Sequence, residues 1–286
     1  MDILNIIKIL AIVLCVSIVI YFILKRQNQV LDSAEKVKTA FIGFIASFFD
    51  TLGIGSFATI VAMRNLFNIM PDDVQLIGTM NIQALITSLI QTLVFLQFFK
   101  IDISLLLITI IMITIGGYIS SLIAVYIKPV YVHLIMLLAF ILTGSLLLLS
   151  QLHFLPNYES NFTIHGWKLI AFAIFMLIAG MLPAFGVGYY SIVRTSIFLF
   201  GLSPVVGFPI MASASSFQMP VTSAVFIHSK KFYFKSTLIL AASGIIGVIL
   251  AAPIIELLDP HDLRWWLLLV IFYNIITLIK NFTKQA

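Results

Sequence analysis

Charged residues are scarce in this chain: 9% of its 286 residues are charged, whereas 62% are hydrophobic and the mean hydropathy is +1.16. A soluble domain carries about 25% charged residues. The composition therefore excludes a soluble globular protein and predicts an all-α polytopic protein of the cell membrane, surrounded by the lipid bilayer. The net charge of +5 is explained by basic residues in short loops. Basic runs interleaved with aromatic residues are lacking, so we expect no nucleic-acid partner.

Cysteine and the common catalytic motifs are lacking too. The single cysteine, Cys15, lies inside an apolar stretch, which excludes internal disulfides and thiolate metal sites. The chain has no His-Glu-x-x-His, no Gly-x-Ser-x-Gly and no phosphate loop. We therefore expect no enzyme activity, no catalytic residue, no metal and no cofactor. Any transport would be driven by an ion gradient or by the gradient of the substrate.

Long apolar segments make up most of the chain. The first, at about 3–24, has no small-residue cleavage site and is typical of a membrane anchor. Eight more follow in two groups of four, separated by a polar loop. We predict an anchor and basic linker over 1–39, a first repeat over 40–151, an inter-repeat loop over 152–166 and a second repeat over 167–286.

The repeat is indicated by two short motifs. Leu52-Gly53-Ile54-Gly55 is matched by Phe185-Gly186-Val187-Gly188, 133 positions later, and Pro71 is matched by Pro204 at the same spacing. Paired apolar segments broken by glycine in corresponding places point to the binding site of a transporter. The alternatives are a chance likeness of apolar segments and glycines that serve close helix packing.

Glycine suits a broken helix because it adopts backbone angles closed to other residues and lets a ligand approach the main chain. The half-helix after the break presents free N–H groups and the positive end of its dipole, which favours an anion. The hydroxyl of Ser56 would add a donor there. The substrate-binding residues predicted at the breaks are Gly53, Gly55, Ser56, Gly186 and Gly188.

Uncharged polar residues in the segments after the breaks are further candidates for binding a small oxyanion. The first repeat carries Asn81 and Gln83, and the second carries Ser213, Ser216 and Gln218. Hydrogen bonds between helices are an equally good interpretation, although each contributes only about 0.6 kcal/mol.

Asp50 is the one carboxylate beside a break within an apolar stretch. Because burying a charge is costly, this position favours a neutral acid that binds and releases a proton. We predict a proton-coupling role for Asp50. The alternative is that its side chain caps the following half-helix.

Lysine and arginine positions predict the orientation. Lys25 and Arg26 put the end of the first segment on the cytoplasmic side, and Lys230 and Lys231 belong on the same side. If the broken segments cross the membrane, the two repeats are parallel; if they dip in and return, the repeats are inverted. We favour inversion, because it places the loop at 152–166, which has no Lys or Arg, outside the cell.

The two breaks resemble a known family. Asp50-Thr-Leu-Gly-Ile-Gly-Ser56 and Pro183-Ala-Phe-Gly-Val-Gly-Tyr189 are similar to the glycine-rich motifs of the sulfite exporter TauE/SafE family. The likeness covers about residues 40–282 and leaves the first helix as an addition. It implies a permease for small sulfur-containing anions such as sulfite or sulfonates.

Together these observations predict a secondary-active permease that moves small sulfur-containing anions across the cell membrane. The alternatives are a permease for another small solute, or for a cation that uses Asp50, and a membrane enzyme or assembly factor without transport activity. The direction of transport and the oligomeric state do not follow from the sequence.

Overall fold

The computed structural model describes residues 3–53, 55–98, 101–127, 129–152, 163–203, 206–257 and 260–285. In chain order the helices are α1 (Ile3–Leu24), α2 (Ser33–Thr51), α3 (Ser56–Phe67), α4 (Asp73–Phe98), α5 (Ile103–Ala124), α6 (Pro129–Gln151), α7 (Trp167–Met181), α8 (Tyr190–Leu199), α9 (Gly207–His228), α10 (Phe234–Ala251) and α11 (Pro260–Gln285). Short 3-10 segments follow α7 and α10, at Leu182–Phe185 and Ala252–Leu257.

Within these described residues, six helical spans are long and apolar enough to cross a membrane: Ile3–Leu24, Asp73–Gln97, Ile103–Ala124, Trp167–Phe185, Gly207–His228 and Phe234–Ile254. Their lengths of 19 to 25 residues match the thickness of a bilayer. The prediction of an all-α polytopic membrane protein is confirmed.

The predicted breaks separate α2 from α3 and α7 from α8. Gly53 has φ 88°, Gly55 has φ 93° and Gly186 has φ 81°. These backbone angles lie in the left-handed region, which glycine enters without a steric penalty. Glycine at these three positions therefore fits backbone angles that other residues rarely adopt.

The chain turns back on itself at each break. In the first half, the rings of Phe41 on α2 and Phe67 at the end of α3 have centroids 6.4 Å apart. In the second half, Phe172 on α7 contacts Phe200, just after α8, with ring centroids 5.6 Å apart. Phe67 and Phe200 are separated by the same 133 positions as the two glycine motifs. Each broken segment therefore forms a helical hairpin.

Connections on either side of the first hairpin meet at one end of the bundle. Gln29, just before α2, accepts a hydrogen bond from the backbone N–H of Lys235 at 2.7 Å. The backbone N–H of Asp72, just before α4, donates to the hydroxyl of Tyr233 at 2.9 Å. Because Tyr233 and Lys235 are two residues apart, the α2–α3 hairpin begins and ends at the same end of the molecule.

The equivalent helices α4 and α9 run in opposite directions. Asn81, early in α4, accepts a hydrogen bond from Thr222, late in α9, at 3.0 Å. Phe95, late in α4, contacts Phe208 at the start of α9. An inverted repeat would have antiparallel equivalent helices and returning hairpins; the repeat and its inversion stay predictions. The arrangement relative to the membrane stays a prediction, which the labelling experiment below tests.

In each half, the helix before the break packs against a helix from the other half. α2 packs on α10, and its counterpart α7 packs on α5, the counterpart of α10. Glycine makes both contacts close: a Cβ atom at Gly247 would collide with the carbonyl oxygen of Phe44, and one at Gly116 would collide with that of Leu177. Each broken helix is therefore packed against a helix of the opposite half.

Helix α2 begins at Ser33, inside the stretch that its polarity assigns to the linker. Asp32 accepts a hydrogen bond from the backbone N–H of Glu35, and the Glu35 side chain accepts one from the backbone N–H of Asp32. This reciprocal capping box is a signal of a helix start in the sequence itself. Hydropathy misses it because the first turn of α2 is polar.

We predict that the loop between the repeats is external. A cysteine at Asn157, a position outside the described residues, should react in intact cells with a membrane-impermeant thiol reagent, in a Cys15→Ser background. A matched cysteine at Gln27, which the lysine-rich end places inside, should react only after the membrane is opened. The reverse pattern of labelling would exclude the inverted scheme.

Candidate functional site

The two breaks meet at the centre of the molecule. A Cβ atom at Gly55 would lie 4.0 Å from the Cβ of Tyr190, and a Cβ atom at Gly188 would lie 3.6 Å from the Cβ of Phe57. Both pairs follow the repeat, because Gly188 and Tyr190 come 133 positions after Gly55 and Phe57. The first turns of α3 and α8 therefore lie against each other in a symmetric contact.

A cavity of about 20 Å³ lies at this contact. The residues that line it come from both breaks and from α4 and α9: Asp50, Gly55, Ser56, Phe57, Ala84, Ser88, Pro183, Gly188, Tyr189, Tyr190, Ser215 and Met219. A cavity needs about 10–15 Å³ to hold one water molecule. The site in this conformation therefore has room for about one water, and a larger solute requires the breaks to separate.

The side chain of Asp50, near the end of α2, reaches the N-terminus of α3. One carboxylate oxygen accepts a hydrogen bond from the backbone N–H of Ser56 at 2.6 Å. The other accepts one from the side-chain amide of Gln91 at 2.9 Å. Asp50 thus caps α3, the alternative role considered for it, and its negative charge lies at the positive end of the helix dipole.

A hydrogen-bonded chain connects Asp50 to the opposite half of the molecule. The hydroxyl of Tyr190, from the second break, donates to the amide oxygen of Gln91 at 3.2 Å. The amide nitrogen of Gln91 donates to Asp50 and also to the hydroxyl of Thr51 at 3.0 Å. All four side chains are buried. A change at Asp50 can therefore reach the second break through a single intervening residue.

The second break is held by hydrogen bonds of its own. Tyr189 donates to the backbone oxygen of Met211 at 3.0 Å, and its hydroxyl lies 2.6 Å from that of Ser215. Asn81 donates from α4 to the carbonyl oxygen of Pro183 at 3.0 Å. Pro183 stands at the position that corresponds to Asp50, so α8 has no carboxylate at this position.

The predicted binding residues divide into two groups. Gly55, Ser56, Gly188 and the proposed coupling residue Asp50 line the cavity. The other predicted residues do not: Gly53, Gly186, Asn81, Gln83, Ser213, Ser216 and Gln218. Gly53 and Gly186 instead shape the turns.

The remaining predicted donors contact protein groups. Gln83 donates to the hydroxyl of Ser47 at 3.0 Å. Gln218 donates to the carbonyl oxygen of Gly180, and Ser216 donates to that of Ser213 at 2.8 Å. The side-chain oxygens of Gln83, Gln218 and Ser213 are buried and have no hydrogen-bond partner within the described part of the chain. The bonds of Gln83 and Gln218 join neighbouring helices and match the structural interpretation of the polar clusters, whereas the bond of Ser216 stays within α9.

Tyr189, Tyr190, Gln91 and Ser215 belong to the site although they were not among the predicted binding residues. Tyr190 could have been found from the repeat, since it occupies the position of Phe57 directly after a break. Gln91 and Ser215 could not, because polar residues occur on several faces of α4 and α9.

The N-termini of α3 and α8 bring partial positive charge to the cavity. The lining residues given above include no lysine, arginine or histidine. Arg64, on α3, donates to the carbonyl oxygens of Met70 and Pro71 and forms an ion pair with Asp73. Its charge is therefore committed to the turn between α3 and α4. The side chain of Arg194 lies outside the described residues.

Membrane-length helices around two broken helices that meet at a buried polar centre are the architecture of a membrane transporter. Comparison with known families agrees: the family model described as Sulfite exporter TauE/SafE matches residues 3–147. The chain belongs to this family, whose members are transporters rather than enzymes. The match includes α1, which the motif resemblance had left outside, and ends before the second break. None of the curated proteins compared with the chain matches it.

Proposed function

We propose that this protein is a secondary-active permease that moves small sulfur-containing anions, sulfite or a sulfonate, across the cell membrane. The observation that carries the proposal is the contact between the breaks, where the N-terminal turns of α3 and α8 share one buried cavity. Each helix start contributes about half a positive charge, and at α3 this charge is offset by Asp50, which accepts from the N–H of Ser56. With Asp50 protonated, two such ends in a cavity whose described lining has no basic side chain suit a single small anion.

Transport requires the contact between the breaks to open. The cavity of about 20 Å³ holds one water, so this conformation corresponds to a state without substrate. Anion binding would separate Gly55 from Tyr190 and Gly188 from Phe57, and would replace protein contacts with contacts to the anion. Opening toward one side and then the other would carry the anion across.

Asp50 supplies a physical reason for proton coupling. It is the one charged residue among those that line the cavity, and it occupies the N-terminus of α3. A substrate anion in the same cavity would be repelled by the carboxylate, since like charges at close range disfavour each other strongly where water is excluded. A proton on Asp50 removes this repulsion. Binding of one anion would therefore take up one proton.

Flux measurements in proteoliposomes test the proposed function. We expect saturable uptake of ³⁵S-labelled sulfite that exceeds uptake by protein-free liposomes and is competed by methanesulfonate. A monovalent cation such as K⁺ should leave the uptake unchanged. Uptake equal to that of protein-free liposomes for every anion tried would overturn the proposal, and competition by the cation alone would favour the cation permease instead.

A further inference from the structure

A groove of about 510 Å³ opens on the surface of the helix bundle between α1, α5 and α9. α1 packs on α9 and α4, and near its start Ile7 shares a buried cluster with Leu106 and Ile110 of α5. Toward the other end the two helices leave a gap. Tyr118, Leu122 and other residues of α5 are exposed along it, while α9 forms its floor.

The walls of the groove are apolar along most of its length. Leu14 and Ile18 of α1 line the groove with Leu122 of α5 and with Val125 just after it. Val221 of α9 also lines it. Such a surface at membrane depth suits a hydrocarbon chain rather than a polar solute. A groove between helices at this depth would hold a lipid chain in a defined place.

The mouth of the groove has a different chemistry. Tyr21, Tyr126 and His228 line it, and Tyr126 is 84% exposed. The ammonium group of Lys25 lies 5.8 Å from the centre of the Tyr21 ring, and the Tyr21 hydroxyl is 3.5 Å from Nδ1 of His228. Aromatic and basic residues of this kind are typical of the level of the lipid head groups.

The lysines beside the mouth give it a positive charge. Lys25 and Lys230 are exposed, and Gln27 links the two segments by donating to the carbonyl oxygen of Lys230 at 3.2 Å. The lining residues of the groove include no aspartate or glutamate. Basic sites between helices on the cytoplasmic side bind anionic head groups, and the lysine-rich end is the predicted cytoplasmic side.

We propose that this groove binds one anionic phospholipid, with an acyl chain between α1 and α5 and its phosphate at Lys25 and Lys230. The lipid would join α1 to the rest of the bundle along the outer side of α9. The opposite side of α9 carries Ser215 and Thr222, which contact Tyr189 and Asn81 at the centre. The proposal does not depend on the identity of the transported anion.

Native mass spectrometry of the full-length protein tests the proposal. The protein is released from micelles that contain equal amounts of phosphatidylglycerol and phosphatidylcholine with identical acyl chains. We expect one retained phosphatidylglycerol and a preference for it over phosphatidylcholine. Lys25→Gln and Lys230→Gln should each lower this preference about fivefold, since a basic residue near anionic lipid contributes about 1 kcal/mol.

Two further variants separate the charge from the groove. Lys8→Gln with Lys168→Gln, which removes two lysines at the other end of the bundle, should leave the preference unchanged. Ala224→Trp, which fills the floor of the groove, should abolish retention of both lipids while both mouth lysines remain. Equal retention of the two lipids by the wild type, an unchanged preference without the mouth lysines, or a protein dimer in place of bound lipid would overturn the proposal.

Discussion

Gly55→Leu and Gly188→Leu should each reduce anion flux to the level of protein-free liposomes, with the protein still present in the membrane. The Cβ atoms at these positions would lie 4.0 Å from Tyr190 and 3.6 Å from Phe57. A leucine side chain extends well beyond its Cβ atom, so it would fill the cavity where the anion is proposed to bind. The measurement is flux of labelled sulfite in proteoliposomes with matched amounts of inserted protein.

Backbone strain has to be separated from this steric effect. Gly55 has φ 93° and Gly166 has φ 65°, but nothing lies within 4 Å of a Cβ atom at Gly166. Gly166→Leu thus carries a comparable strain, about 1–3 kcal/mol, without a contact, and should retain transport. Gly188 is outside the left-handed region and tests the contact without the strain. Normal transport by Gly188→Leu would show that the contact between the breaks is not on the transport path.

Asp50→Asn should uncouple transport from the proton gradient. The substitution keeps an oxygen that can accept from the backbone N–H of Ser56 but replaces the other acceptor with a donor, as a proton on the carboxyl would. Anion exchange between the two sides should therefore persist. Accumulation driven by an imposed pH gradient, which the wild type should show, should be lost. The comparison uses the same proteoliposomes with and without the gradient.

The matched control for this variant is Asp102→Asn. Asp102 also caps a helix, accepting from the backbone N–H of Leu105 at 2.8 Å, but it lies at the start of α5 and away from the cavity. This variant should accumulate the anion in response to the pH gradient, as the wild type does. If the wild type shows no such accumulation, or if Asp50→Asn still shows it, Asp50 acts only as a helix cap.

The positions of the breaks could be predicted because the reason for them is local. Gly53, Gly55 and Gly186 have positive φ, and a residue type that tolerates such angles is visible in the sequence. The same spacing relates Phe67 to Phe200, the aromatic residues that close the two hairpins, but it does not relate their partners Phe41 and Phe172.

The partners of the polar side chains could not be predicted in the same way. Asn81, Gln83 and Gln91 all lie on α4, yet their amides reach Pro183, Ser47 and Asp50 respectively. Which face of α4 meets which break depends on helix packing between residues that are far apart in sequence. A cluster of donors in one helix therefore does not show which side chains line the cavity, and none of these three does.

The crossed packing of the two halves has a consequence for biosynthesis. The close contacts of α2 involve α10: a Cβ atom at Gly43 would lie 2.5 Å from the carbonyl oxygen of Leu240, nearly two hundred residues later in the chain. A ribosome that has delivered the whole first half to the membrane has still not made this partner. The first hairpin must therefore wait, with its break unsupported by α10, until the second half is inserted. A component of the translocation machinery, or a chaperone, that shields polar backbone groups in the membrane is most needed during that interval.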